Sequence, residues 1–321
     1  MTLRPAAGRS IWLDGRLVDA LGPHLNVSDR GFQLGDGLFE SARARRGVVI
    51  ELDEHLERLR QGCLALGLNL PISDDQLVDG IAELLAAEEL DGAGSFAGPP
   101  AEPVGDAALR ITVSRGPLER RGLLPPGFED LVATIVIQCW PYVPTPAELL
   151  ERGVRAVSSS IRRDPGSPLA GVKTTSRADY VYARLEAARA GADDALFLTL
   201  DGALSEATAA NLFLIAGQTL TTPPLSAGIL AGTTRTWLLA QARRLGLTMA
   251  ETDVRPADLL AADEAFLTGS VAGIVPLVSL DGRAVGEGRP GPRTRILRIA
   301  REDWIDAMSM AALLPAEPDD R

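Results

Sequence analysis

The chain has 321 residues, which allows two domains with a hydrophobic core in each. Its net charge of −11 argues against nucleic acid as a partner, and no apolar run is long enough to cross a bilayer, so no membrane is expected. Hydrophobic residues make up 46% and charged residues 23%, which is typical of globular proteins. Cys63 and Cys139 lack metal-ligand spacing, so we expect free thiols, no metal site and a cytoplasmic location.

The first half of the chain predicts a small domain of mixed strands and helices. Asp14 and Gly15 have the residue types of a tight hairpin turn. Leucines at helical spacing follow further on, and then apolar residues that alternate as in a strand. The predicted elements are a hairpin over 11–20, helices over 53–68 and 75–89, a glycine- and proline-rich loop over 91–106, and strands over 108–114 and 131–139.

Three prolines between residues 141 and 146 interrupt the pattern and indicate a domain linker. We place the linker at 140–147. It separates a smaller N-terminal α/β domain, 1–139, from a larger C-terminal α/β domain, 148–321.

The second half combines strands and helices without a regular βαβ alternation. The predicted elements are a strand over 154–160, a helix over 178–191, a strand pair around 201–202, a helix over 233–246 and strands between 264 and 280. The acidic residues AEPDD near the end predict a frayed tail. This order favours two α/β domains built as α+β layers and argues against a Rossmann domain.

The lysine content points to one residue. Of the 32 basic residues, 31 are arginine and one, Lys173, is lysine. A GC-rich coding bias explains the arginine excess, and one lysine can survive such a bias by chance. The alternative is that position 173 requires an amine that can deprotonate and attack a carbonyl, which arginine cannot do. Schiff-base formation is the commonest use of such an amine.

A carboxylate and a hydroxyl-rich turn follow in the same half of the chain. Glu206 lies between a turn and an apolar strand, so we expect it to be partly buried, or else to cap the turn. Thr233 and Thr234 open an apolar helix after Gly232, which suits either an ordinary helix cap or an anion site. Ser270 lies in a second small-residue turn. An amine, a carboxylate and an anion site are what pyridoxal 5'-phosphate requires.

Two histidines and one arginine complete the candidates from residue types alone. His24 and His55 lie in no metal-ligand or catalytic-triad pattern, and His55 is predicted to be a helix-surface residue. Arg58 lies at the edge of the apolar stripe of the first helix. Taken by itself, it is a surface charge.

The motifs together resemble those of a known family. SDRGFQLGDGLFESAR (28–43) with HLERL (55–59) resembles the N-terminal signature of the class IV aminotransferases. The resemblance continues through GVKTTSR, LSEATAANLF, ILAGTTR and FLTGSVAGIVPL, so it covers about residues 11–296. The family includes branched-chain and D-amino-acid aminotransferases, (R)-selective amine transaminases and 4-amino-4-deoxychorismate lyase.

The resemblance implies a fold, a cofactor and site residues. The fold is the two-domain fold type IV, with an active site shared between the subunits of a homodimer. Lys173 matches the catalytic Schiff-base lysine of pyridoxal 5'-phosphate, and Glu206 the carboxylate at the ring nitrogen. Arg58 matches an arginine that binds the cofactor phosphate, which replaces its interpretation as a surface charge. The remaining implied cofactor contacts are Leu230 against the ring and Thr233, Thr234 and Ser270 at the phosphate.

The implied activity is transfer of an amino group between an amino acid or primary amine and a 2-keto acid. The alternatives are a 4-amino-4-deoxychorismate lyase, which releases pyruvate and 4-aminobenzoate, and a cofactor-binding homologue without turnover. Glu40 resembles the transaminases, whereas SRADY and SRGPLERRG resemble the lyase or the D-amino-acid enzymes. The tyrosine that branched-chain enzymes carry shortly after the lysine is replaced by Ser176 and Arg177. Candidate substrate contacts are Glu40, Arg43, Arg110, Arg115, Arg120 and Arg121.

Overall fold

The computed structural model describes residues 9–92, 106–120 and 122–313, and the chain divides into two units. The first unit comprises Met1–Val143 and Glu302–Arg321, and the second comprises Pro144–Arg301. The division after Val143 falls inside the predicted linker. The C-terminal segment, however, groups with the first unit, whereas the sequence pattern placed it in the second.

Ion pairs explain why the C-terminal segment belongs to the first unit. Arg43 donates from Nη1 to both carboxylate oxygens of Glu302, at 3.0 and 3.1 Å. Arg45 lies 2.8 Å from Asp306, measured from its Nε to the carboxylate. Local periodicity cannot reveal these pairs, because the partners are about 260 residues apart in sequence.

The first unit contains one antiparallel sheet and helices connected to it. The strand order in the sheet is β2-β1-β6-β5-β3-β4. The strands are β1 (Ser10–Leu13), β2 (Arg16–Asp19), β3 (Gly37–Arg45), β4 (Val48–Val49), β5 (Ala107–Ser114) and β6 (Thr134–Pro141), and the helices are α1 (Arg30–Leu34), α2 (Leu52–Leu66) and α3 (Asp74–Ala87).

The second unit is built on a nine-stranded mixed sheet. The strand order is β12-β11-β10-β13-β14-β7-β8-β9, and β15 also pairs with β14. The strands are β7 (Val154–Arg163), β8 (Asp194–Thr199), β9 (Leu204–Ala207), β10 (Asn211–Ala216), β11 (Thr219–Thr222), β12 (Thr248–Glu251), β13 (Glu264–Gly269), β14 (Gly273–Leu280) and β15 (Arg283–Ala284). The helices are α4 (Ala147–Arg152), α5 (Ala178–Arg189), α6 (Thr233–Gln241), α7 (Pro256–Ala261) and α8 (Pro292–Ala312), of which α8 continues past the unit boundary.

The predicted elements inside the described residues are confirmed to within a few residues, and so is the class of mixed α+β layers. The turn at Asp14-Gly15 illustrates the agreement: both residues have positive φ, 47° and 96°, as a type I′ hairpin turn requires. Most of the predicted loop at 91–106 and the acidic tail lie outside the described residues.

The core of the second unit determines where functional side chains can lie. Apolar side chains of the central strands, among them Leu196, Leu212 and Leu267, are buried in one cluster. Polar residues at the strand ends and in the connecting turns are therefore the ones left to line a site.

Candidate functional site

Glu206 lies in β9 and its side chain is buried. The Leu230 backbone N–H donates to its Oε2 at 2.9 Å, and Asn211 Nδ2 lies 3.4 Å from the same oxygen. Its other oxygen, Oε1, is 3.8 Å from Arg163 Nη2. The expected burial is thus confirmed, and the residue is part of a strand rather than a cap on a turn.

The electrostatics of Glu206 favour a cationic neighbour. Burial raises the pKa of the Glu206 carboxyl above its usual value. The Leu230 N–H group and three nearby positive charges oppose that rise in part. These charges belong to Arg163, Arg177 and Lys173. A buried carboxylate with a raised pKa gains most from a proton or a positive charge placed against it.

Lys173 lies in the loop that precedes α5, and its side chain is half-buried. Its positive charge is one of the three that oppose the rise in the pKa of the Glu206 carboxyl. That these two residues, 33 positions apart, act on one cofactor stays a prediction from the sequence.

A second group of side chains lies beside Glu206. Arg163, at the end of β7, donates to the Tyr180 hydroxyl at 2.6 Å and to the backbone oxygens of Ala170 and Gly228. The Arg177 guanidinium lies 3.1 Å from the Tyr180 ring centroid. Tyr180 thus brings a phenol close to the carboxylate, although the chain lacks the tyrosine nearer the lysine that branched-chain enzymes carry.

The turn that precedes α6 is held by Asn211. Its Nδ2 donates to the Leu230 backbone oxygen at 2.9 Å. A Cβ atom at Gly232 would clash with Asn211 Oδ1, so any larger residue there would displace the Asn211 side chain. Asn211 therefore fixes both Leu230, whose N–H reaches Glu206, and the first turn of α6.

Four hydroxyl groups lie near the N-terminus of α6 or on the strand and turn facing it. Thr233 Oγ1 is 3.0 Å from Ser270 Oγ. Thr234 Oγ1 and Thr268 Oγ1 are buried and have no hydrogen-bond partner among the described residues. No side chain caps α6, and its first turn carries no acidic residue. Unpaired hydroxyls at an uncapped helix N-terminus suit an anion such as phosphate.

The second unit therefore fits the cofactor that the sequence motifs imply. Glu206 suits a protonated ring nitrogen, Lys173 an aldehyde carbon, and the hydroxyls a phosphate. The buried Thr234 hydroxyl is the strongest single support for this fit, because a buried polar group without a partner is costly unless a ligand satisfies it.

Arg58 lies in the first unit, on α2, beside Glu40 of β3. Its Nε and Nη2 donate to the two oxygens of Glu40, at 2.8 and 2.6 Å. His55 Nδ1 is 2.7 Å from Glu40 Oε2. The prediction that His55 is a helix-surface residue is wrong: its exposure is 0%, because it lies one helical turn from Leu59 on the buried face of α2.

The candidate substrate residues have other partners in the first unit. Glu40 is 1% exposed, and its carboxylate binds Arg58 and His55. Arg43 is ion-paired with Asp106 and Glu302. Two further candidate arginines also have contacts within the unit: Arg110 of β5 lies over the Phe39 ring, and Arg115, which follows β5, binds Asp36.

Arg120 is the exposed member of the candidate set. Arg121 lies outside the described residues. Lys173, Glu206 and the hydroxyls thus lie in the same unit, whereas the described candidate arginines of the first unit have separate partners.

Three residues around Glu206 were not predicted as site residues from the sequence: Arg163, Tyr180 and Asn211. A signal existed for Asn211, because it opens the strand in the same LSEATAANLF motif that contains Glu206. Tyr180 ends the SRADY stretch, but nothing local in the sequence indicates that it lies beside Arg163, because tertiary packing makes that contact.

The described part of the chain contains neither a membrane-spanning helix nor a metal-binding group of side chains. No helix there is both long and apolar enough to cross a membrane. No group of three or more histidine, cysteine, aspartate or glutamate side chains could hold a metal ion.

Comparisons with known proteins point the same way as the geometry. The family model described as "Amino-transferase class IV" matches residues 37–280. A protein of Methanocaldococcus jannaschii that is assigned to the branched-chain-amino-acid aminotransferases is 34% identical over 90% of this chain and 93% of its own length. The aminodeoxychorismate lyase of Bacillus subtilis is 28% identical over 93% of this chain and 95% of its own.

A solved structure extends the likeness to the fold. The branched-chain aminotransferase of Thermoproteus uzoniensis, determined with norvaline, superposes with a TM-score of 0.82 at 29% identity. The match covers 95% of this chain and 97% of that one.

Proposed function

The chain belongs to the class IV aminotransferase family and is an enzyme of that class, and we propose that its amino donor is an amino acid and its acceptor a 2-keto acid. Pyridoxal 5'-phosphate is the cofactor of this class. The observation that carries the proposal is the grouping in one unit of Lys173, the buried Glu206 and the hydroxyls of Thr233, Thr234 and Ser270.

We assign the catalytic role to Lys173. The bound cofactor supplies a carbonyl carbon for the amine and a ring that accepts the electrons released when a substrate C–H bond breaks. Lys173 Nζ would hold the cofactor, and when it is free and neutral, Nζ would move the proton at the substrate α-carbon. Arginine at this position could do neither, because it stays protonated.

Glu206 and its neighbours would orient the cofactor ring and stabilise the positive charge on its nitrogen. Glu206 accepts a hydrogen bond from the ring nitrogen and holds the proton on that nitrogen. Asn211 and the Leu230 N–H keep the carboxylate in place. Leu230 packs against the ring in this proposal.

The hydroxyls bind the phosphate end. Thr233, Thr234 and Ser270 donate to the phosphate together with the N–H groups of the first turn of α6. Arg58 supplies the positive charge in our proposal, since the sequence HLERL resembles the part of the family signature that contains the phosphate-binding arginine. Of the candidate substrate contacts, Arg120 is retained as the residue to hold a substrate carboxylate, because it is exposed.

We further propose a homodimer with a shared active site and a cytoplasmic location. Large apolar side chains in the first unit support an interface: Leu21, Val27 and Phe32 are 88%, 77% and 76% exposed. Cys63 and Cys139 are buried free thiols, which suits a reducing compartment. Light scattering coupled to gel filtration measures the oligomeric state directly.

A single-turnover experiment tests the function. Purified enzyme in the pyridoxal form is mixed in turn with L-leucine, D-alanine, (R)-1-phenylethylamine and aminodeoxychorismate, without a keto acid. An aminotransferase converts the cofactor to the pyridoxamine form and releases one equivalent of keto acid per site. If only the L- or D-amino acid causes this conversion, the result supports the proposal.

The lyase is the second candidate, because the Bacillus subtilis lyase matches nearly the whole chain. Release of pyruvate and 4-aminobenzoate from aminodeoxychorismate, with the cofactor back in the pyridoxal form after each turnover, would assign the lyase reaction instead. If no donor changes the cofactor spectrum and no pyruvate appears, neither activity is present.

A further inference from the structure

Three side chains of the first unit form a buried charged cluster on α2 and β3. Glu40 is 1% exposed, His55 is 0% exposed, and the Arg58 side chain is 13% exposed. Both oxygens of Glu40 accept hydrogen bonds from Arg58, and one of them also contacts His55 Nδ1. We call these three residues the Arg58 clamp.

Secondary structure places the three together. His55 and Arg58 are three residues apart on α2, so they share one helix face. Glu40 lies in the middle of β3, opposite Ile111 of β5, and faces that helix. The cluster is therefore specified by two regular elements rather than by a loop, which holds its geometry rigid.

The clamp restrains the orientation of the guanidinium. A bidentate pair, with Nε and Nη2 on one carboxylate, fixes both the position and the plane of the guanidinium group. His55 fixes the carboxylate in turn, because its Nδ1 lies 2.7 Å from Oε2.

We propose that Glu40 and His55 are positioning residues that hold the Arg58 guanidinium in the orientation that binds the cofactor phosphate. This inference rests on the proposed function, since it takes Arg58 as the phosphate-binding arginine. It gives Glu40 a role through Arg58 instead of a contact with substrate.

Charge and geometry predict opposite effects for Glu40. A carboxylate beside an anion-binding arginine repels the anion, so its removal would strengthen phosphate binding if charge alone mattered. If orientation dominates, removal frees the guanidinium to rotate, and binding weakens. The sign of the change therefore separates a positioning role from a purely electrostatic effect of the carboxylate.

The experiment compares two ligands that differ only in the phosphate. Dissociation constants of pyridoxal 5'-phosphate and of pyridoxal are measured on the full-length apo-protein by fluorescence titration, and their ratio reports the phosphate contribution. In Glu40→Gln, we expect affinity for pyridoxal 5'-phosphate to fall about 10- to 100-fold, the usual range for loss of a group that orients a binding residue. Affinity for pyridoxal should change less than about twofold, within the scatter expected for a residue without contact to the ring.

Further variants set the limits of the effect. Arg58→Ala should cost at least as much phosphate-dependent affinity as Glu40→Gln. His55→Leu should weaken it less than Glu40→Gln, whereas His55→Asn, which keeps an N–H donor near the Nδ1 position, should restore most of the loss. Glu40→Asp keeps the charge but is one methylene too short to hold both nitrogens, so it should also weaken binding.

A matched control removes a different buried carboxylate of the same unit. Asp36 accepts from Arg115 at both oxygens, at 2.8 and 3.0 Å. Asp36→Asn should lower stability without changing the ratio of the two dissociation constants. If Glu40→Gln is too unstable to titrate, the two His55 variants give the same comparison.

The outcomes separate the inference from the proposed function. Pyridoxal 5'-phosphate binding that is unchanged or tighter in Glu40→Gln, with Arg58→Ala clearly weakened, overturns the positioning role and leaves the function intact. An unchanged ratio in Arg58→Ala also overturns it, because Arg58 would then not bind the phosphate. Failure of the wild-type protein to bind the cofactor at all would remove the proposed function itself.

Discussion

Two buried polar groupings differ in how their hydrogen-bonding atoms are satisfied: the Arg115–Asp36 pair of the first unit, and the region of Glu206 and Thr234 in the second. In the first unit, Arg115 donates to both oxygens of Asp36 and to the backbone oxygens of Leu66 and Gly67. Its Nε, Nη1 and Nη2 atoms are all engaged within the protein. In the second unit, burial raises the pKa of Glu206, and the Thr234 hydroxyl has no partner among the described residues.

This difference separates structural from ligand-binding polar groups better than residue type does. A buried arginine whose donors are all used stabilises the unit and has little left to offer a substrate. A buried hydroxyl that the protein leaves without a partner costs free energy until a ligand satisfies it. Arg115 and Thr234 were both candidates from the sequence, and the structure places them on opposite sides of this distinction.

The largest expected effect comes from Lys173. Lys173→Ala and Lys173→Arg should both lower kcat by roughly 10⁴-fold or more, because each removes an amine that can be deprotonated. Steady-state assays with the preferred donor measure the loss. Arg189→Lys, an exchange at an exposed position of α5, is the control and should leave kcat unchanged. An active Lys173→Arg enzyme would show that position 173 needs only charge.

Glu206→Gln tests the buried carboxylate whose pKa is raised by burial. The amide cannot hold a proton on a ring nitrogen by charge, so kcat should fall about 100-fold, equivalent to ~3 kcal/mol for a buried charge-assisted contact. Cofactor content per subunit, measured by absorbance, should fall much less than kcat. Full activity in this variant would mean that Glu206 is as structural as Asp36.

The residues of this site could be predicted because they lie in contiguous motifs. Lys173 was marked by composition, and Glu206 and Thr233 by short stretches with a known order. Elements with clean periodicity, such as α2 and α3, were also predictable. These features depend on neighbours in sequence, which a single chain reveals.

The features that were not predicted depend on contacts between residues apart in the sequence, or on a helix that exposes apolar side chains and buries a charged one. Glu40 meets Arg58 across 18 positions, and its partners could not be read from either element alone. Helix α8 was not predicted, since its residues do not follow the usual pattern: Ile296 and Ile299 are 58% and 50% exposed, whereas Arg301 is 2% exposed. Apolar periodicity cannot identify a helix whose buried face carries an arginine.

Asp36→Asn tests the Arg115–Asp36 pair, in which Nε, Nη1 and Nη2 of the arginine are all engaged. The change leaves the Arg115 charge buried without its partner, so the free energy of unfolding should fall by about 3 kcal/mol. Urea denaturation measures it. Asp74→Asn breaks a pair with Arg60 in which the aspartate is 53% exposed, and it should cost less than about 1 kcal/mol. Equal losses in the two variants would contradict the distinction between buried and exposed pairs.

Acid should destabilise the first unit through Glu40. Burial alone would raise the pKa of Glu40, but hydrogen bonds and charge from Arg58 and His55 outweigh it and lower the pKa to about 2. A lowered folded-state pKa stabilises the fold above the ordinary value of 4.5, and this contribution, roughly 3 kcal/mol, is lost as the pH falls towards 2. Urea midpoints between pH 6 and 3 should therefore drop more steeply for the wild type than for Glu40→Gln.

The smallest effect is also the most discriminating, because Thr234→Val should change binding and stability in opposite directions. Valine keeps the shape of threonine but removes a hydroxyl that is buried without a partner among the described residues. The apo-protein should therefore gain up to about 1 kcal/mol of stability, while affinity for pyridoxal 5'-phosphate falls about 10-fold through loss of one hydrogen bond to a charged group. Thermal melting of the apo-protein and titration with the cofactor measure the two quantities separately. Thr236→Val is the control, since Thr236 Oγ1 already has a partner in the backbone oxygen of Gly232. A loss of apo stability in Thr234→Val would show that the protein itself satisfies the hydroxyl, and the site would then resemble the Arg115 pair.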